Sequence, residues 1–144
     1  MKDSRWLPIL AAALGVLGGI GGAFIGGSLA NAGAEKRLEK ERAAQVQDIR
    51  IDVYGTYLGT ADELATAWLE GDQEEIADGI KKLFVVEAKV AVIAEDQDAF
   101  ETAAQQINQI LTNEGLTQEG LPQYQLAYKA FLDFARDEIE QTSG

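Results

Sequence analysis

The stretch VQDIRIDVYGTYLGTADELATAWLEGD, residues 46–72, decides what the rest of the chain can be. Apolar side chains recur in it at Val46, Ile49, Val53, Tyr57, Ala61, Leu64 and Trp68, in steps of three and four. That spacing brings each of them back to one face of a helix, and no strand-like alternation with turn signals is sustained anywhere downstream. Gly71 stands where a left-handed residue would end the helix. Asp72, with Glu75 three residues on, forms a capping pair for the next one. The second helix offers Ile76, Ile80, Leu83, Phe84, Ala88, Ala91 and Ala94 as its buried stripe. A third opens near Asp96 or Asp98, the latter boxed by Glu101, and buries Phe100, Ala103, Ala104, Ile107, Ile110 and Leu111 before Gly115 closes it. After the loop Leu116–Leu121, Pro122 fits the first turn of a last helix that buries Leu121, Tyr124, Tyr128, Phe131, Ala135 and Ile139. Four amphipathic segments on short connections predict a small antiparallel four-helix bundle over residues 46–144. A three-helix core with the first helix partly outside it is the alternative.

Upstream, the pattern changes. Residues 32–45 form a charged stalk in which Arg37–Glu41 and Glu39–Arg42 pair favourably, while Glu35–Glu39 and Lys36–Lys40 oppose them. Before it, Trp6 to Ala34 carries no charge at all. Its most apolar part, Leu7 to Ala30, makes roughly 36 Å of helix, enough to cross a bilayer with some tilt. Trp6 suits the headgroup boundary and Pro8 the first turn. The whole chain is thus expected to be all-α, with one N-terminal transmembrane helix (residues 6–31, after a short tail 1–5) continuing through the stalk into the bundle. Within the span, Gly15, Gly18, Gly19, Gly22, Ala23, Gly26 and Gly27 fall on two ridges of four-residue spacing, Ala11–Gly15–Gly19–Ala23–Gly27 and Gly18–Gly22–Gly26–Ala30–Ala34. Smooth ridges of this kind let another helix's backbone approach closely, which is how transmembrane helices associate. The expected partner is another transmembrane helix, from a second copy or a larger membrane complex. Lys36, Arg37, Lys40 and Arg42 outnumber Lys2 and Arg5 on the other flank, which leans the C-terminal domain toward the cytoplasm of a cell-membrane protein. A secretory signal cleaved after Ala32 or Ala34 would instead release a helical binding domain. The apolar stretch exceeds the usual core of such a signal, about 7–15 residues.

Composition narrows the chemistry. The 144 residues include no Cys and no His, which removes disulfides, thiolate sites and the commonest acid–base and metal ligand together. Residues 43–144 hold 20 Asp and Glu against six Lys and Arg, a formal charge of −14. Such a surface repels nucleic acid and anionic headgroups, so the domain is expected to stand off the membrane. Helical bundles that hold two metals use Glu-x-x-His pairs, which this chain lacks. Glu87 is the one acid near a predicted stripe, expected to reach solvent or pair with a cation on another helix. Gly55 and Gly59 are expected to allow close packing inside the bundle, and Lys81 and Lys82 to lie on a solvated face. Ser4, Ser28 and Ser143 have no base beside them, so no catalytic residue, cofactor, metal or small-molecule substrate is expected.

Two segments carry a resemblance. Arg50, Tyr54 and Tyr57-Leu58, together with the closing Phe131-Leu-Asp-Phe-Ala-Arg-Asp-Glu138, resemble a group of actinobacterial single-pass membrane proteins with a C-terminal helical domain. That likeness implies the anchor–stalk–bundle layout and no activity. The resulting expectation is a non-enzymatic, membrane-tethered interaction module, an accessory or scaffold subunit of a larger assembly. A small pore built on the glycine ridges is the rival.

Overall fold

The computed structural model describes residues 32–142, and among them it contains helices and no strand. Helix α1 spans Ala32–Glu70, α2 Gln73–Ile93, α3 Gln97–Asn108 and α4 Leu121–Thr142, with a wider π turn, Gln109–Glu114, continuing α3. Among the described residues no helix is long and apolar enough to cross a membrane. The predicted span Leu7–Ala30 lies outside them.

Each boundary has a local cause. Gly71, at φ +75°, ends α1 in a Schellman turn: its own N–H reaches the Trp68 carbonyl, and the Asp72 N–H reaches that of Ala67 at 3.1 Å. The Asp72 carboxylate then accepts from the N–H groups of Glu74 and Glu75, both at 3.1 Å, and starts α2. Of the two candidate caps for α3 it is Asp96 that serves, accepting from the Ala99 N–H at 2.9 Å. Gly115, at φ +77°, closes the π turn against the ring of Trp68.

Both α2 and α4 run antiparallel to α1. Gly79 against Leu64 and Ile93 against Arg50 set α2 alongside α1 in the opposite sense. Tyr124 against Asp62 and Glu138 against Tyr54 do the same for α4. The core gathers Tyr54, Tyr57, Leu64, Leu83, Val90, Ile107, Leu111 and Phe131, and Tyr57 stacks on Phe131 with ring centroids 4.4 Å apart.

Two expectations are corrected here. On α2 the buried stripe runs Ile76, Gly79, Leu83, Val86, Val90 and Ala94, leaving Phe84 46 % exposed. Counting from Gly79 and not Ile80 rotates the stripe away from Phe84, because Gly79 is what lets α2 approach Leu64. A Cβ at Gly79 would lie 3.0 Å from the Leu64 side chain. Gly55 and Gly59, by contrast, lie exposed with nothing within 4 Å of a Cβ, so they serve no close packing among the described residues.

Residues 33–45 of α1 have no buried member, and the first buried residue is Arg50. The stalk is therefore a bare extension of the core helix, roughly 20 Å long over its 14 residues.

Candidate functional site

The buried charges of the described residues are Arg50 and Glu138, each 4 % exposed, at the end where α1 enters the bundle. The Arg50 guanidinium donates through Nε to the Ile93 carbonyl at 3.2 Å and through Nη2 to Glu95 Oε1 at 2.8 Å. The carbonyls at a helix C-terminus lack partners within the helix, so a cation is well placed at the end of α2. The Glu138 carboxylate accepts from Tyr54 OH at 3.1 Å and from the N–H groups of Glu95 at 3.0 Å and Asp96 at 2.8 Å. Burial, and then the charge of Glu138, hold the Tyr54 hydroxyl far above its ordinary pKa, so it remains a donor. One knot thus joins the entry of α1, the α2–α3 connection and α4. The sequence placed Arg50 and Glu138 only in quoted motifs. The signal for the burial of Glu138 was its place seven residues after Phe131, on the same stripe.

Further along α1 the polar contacts continue. Tyr57 OH donates to Asn108 Oδ1 at 3.3 Å, and Asn108 Nδ2 donates to Glu87 Oε1 at 2.7 Å. Of the two expectations for Glu87, solvent at the edge of the stripe or a cation on another helix, the cation is replaced by an amide, and the side chain is half-buried beside an open groove. Burial raises its pKa, and the bond from Asn108 pulls the other way. Tyr124 OH donates to Asp62 Oδ1 at 2.8 Å. Burial, then the bond to Asp62, raise the Tyr124 pKa. Trp68 Nε1 donates to the Leu111 carbonyl at 2.8 Å, inside the π turn, where the wider ladder frees a carbonyl for it. Arg50, Tyr54, Tyr57, Asp62 and Trp68 therefore tie α1 to every other element. No buried side-chain N or O of the described residues lacks a partner, and no three of their acidic groups converge as a metal would require.

Two surfaces remain. The outer side of α2 presents Phe84 and Val85, 46 % and 41 % exposed, with Lys81 exposed and Ala88, Lys89 and Val92 half-buried. Lys82, also exposed, pairs with Asp78 at 2.9 Å, as its predicted place on a solvated face suggests. Between α3 and α4 runs an open groove, about 650 Å³ where Asp96, Asp98, Asp133 and Asp137 flank Ala99 and Ala130. It continues past Gln106 into about 290 Å³ beside Ile110 and Leu126.

The predicted helix–helix interface of Gly15, Gly18, Gly19, Gly22, Ala23, Gly26 and Gly27 lies outside the described residues. No family model matches the chain, and neither a curated protein nor a solved structure matches it.

Proposed function

We propose that this chain is a non-enzymatic, membrane-tethered interaction module, held in the bilayer by the uncharged stretch 6–31 and docking there on another transmembrane helix through its glycine ridges. The observation that carries the reading is the form of α1. One uninterrupted helix of 39 residues runs from the edge of the uncharged stretch, across an exposed charged stalk, into the centre of the bundle. A stalk that continues without a break into the core helix makes a stiff mount, because the bundle cannot swing on it without bending or breaking that helix. The charge of −14 on residues 43–144 adds to this by pushing the bundle off anionic headgroups. The likeness to actinobacterial single-pass proteins belongs with this reading, as does a cytoplasmic bundle.

Alkaline carbonate washing tests the tether: the chain stays with membranes if residues 6–31 span them, and is released if they do not. Native mass measurement after mild detergent extraction tests the docking face. Gly19→Leu or Gly22→Leu should convert a complex to monomer, while a strictly monomeric, partner-free protein would sink the idea. The chain has no native Cys, so Ala43→Cys reports the side of the stalk by its labelling with an impermeant maleimide.

A further inference from the structure

We propose that copies of this chain dock side by side, the lysine-bearing apolar face of α2 on one copy seated in the acidic groove between α3 and α4 of the next. This rests on the tethered reading above and names a second copy as the partner of the bundle.

The sequence of α2 from Leu83 to Ala94 has only Glu87 and Lys89 as polar residues. A helix apolar on nearly every side belongs in an interior. Its inner face is used in the bundle by Leu83, Val86 and Val90, yet Phe84 and Val85 stand exposed on the outer one. Beside them lie Lys81 and Lys89, two of the six Lys and Arg that residues 43–144 possess, while Lys82 is already paired with Asp78. A cationic apolar strip on so acidic a domain calls for an acidic apolar acceptor, and the α3–α4 groove is one: Asp98, Asp133 and Asp137 rim Ala99 and Ala130. No residue of α2 lines that groove, so one copy can offer both surfaces at once.

The two surfaces also stand at the same height. Lys89 falls between Gly79 and Ile93 of α2, which face Leu64 and Arg50 of α1. Asp133 and Asp137 fall between Tyr124 and Glu138 of α4, which face Asp62 and Tyr54 of α1. Copies rising from one membrane plane therefore bring Lys89 of one to the level of the aspartates of another with no vertical shift. Two other occupants fit worse. Parallel α2–α2 packing would set the lysines against one another. A bilayer would have to lie against a face that runs along the stalk axis, on a domain it repels. Exposed charge pairs are individually weak, so the contact depends on the high effective concentration that shared tethering supplies. Being head-to-tail, it builds rows or rings and not closed pairs.

The test uses single-cysteine full-length chains carrying distinguishable tags, co-expressed and treated in membranes with a short bismaleimide. V85C with A130C should give a mixed adduct in excess of either variant alone. Lys89→Glu should lower that yield roughly fivefold or more. Asp137→Lys in the A130C chain should then restore it. A dominant V85C self-adduct, or a mixed yield no greater than G59C gives with A130C, would overturn the proposal. Carbonate washing of the same samples reads the tether separately. The mixed adduct on a chain released from membranes would keep the docking and remove the tether; retention without the adduct would remove the docking alone.

Discussion

Glu138 satisfies three donors at once, and with Arg50 it is one of the two buried charges among the described residues. Glu138→Ala would strip the acceptor from two backbone N–H groups and the Tyr54 hydroxyl. Leaving a buried donor without its acceptor costs about 1–3 kcal/mol. Urea unfolding of the full chain in detergent should show a loss of that order, and a loss under 1 kcal/mol would mean the knot is ornamental (about the size of an exposed pair). Glu87 behaves in the opposite sense. Burial raises its pKa in the folded state, so the folded protein favours the protonated form. Stability from this group is complete below the ordinary carboxylate pKa of about 4.3 and is lost as pH rises through the raised folded value. Glu87→Gln, which keeps an oxygen for Asn108, should therefore stabilise the protein at pH 7, with the gain shrinking as pH falls from the raised folded value to the ordinary carboxylate value and gone below it. A difference that does not change with pH would show that burial of the charge is not its cause. Of this residue scale, the sequence revealed that Glu87 was unusual but not that Asn108, 21 positions away, would answer it.

At the scale of elements, glycines of the described residues play different parts. Gly55 and Gly59 are helical, exposed and uncrowded, so Ala at either should stabilise by about 0.5–1 kcal/mol, the ordinary helix preference. Gly71 and Gly115 have positive φ, where a Cβ costs about 1–2 kcal/mol. At Gly71 the space is open, whereas at Gly115 the new Cβ would also meet the Trp68 ring at 3.0 Å. Gly115→Ala should therefore lower the thermal midpoint clearly more than Gly71→Ala; equal losses would mean that the indole simply moves aside. Helix ends of this kind were legible in the sequence, because Gly at a C-terminus and Asp at an N-terminus act on neighbours within a few residues. The rotation of α2 was not legible. Phe84 reads as core by hydrophobicity alone, and only the close approach of Gly79 to Leu64 decides which side of the helix faces inward.

For the whole molecule, the proposed mounting of the bundle rests on the stalk. If the bundle is mounted stiffly, breaking α1 within residues 36–43, as with Ala43→Pro, should leave the bundle folded. It should also loosen its orientation, which broadened distances between spin labels on stalk and bundle would record; unchanged distances would mean the mount does not depend on a continuous helix. The order of the helices, the ends at Gly71, Asp72 and Gly115, the acidity and the contrast between an uncharged N-terminal stretch and a charged stalk follow from the sequence by itself, since each depends on composition or on neighbours three or four positions apart. Tertiary structure alone decided that Arg50, Tyr54, Glu95 and Glu138 form one knot, that Asn108 serves Glu87 and Tyr57 together, and that an apolar lysine-bearing face stays outside while an acidic groove opens between α3 and α4. Those outcomes depend on which faces meet across the core, and contacts between residues tens of positions apart are set by packing, which no local periodicity encodes.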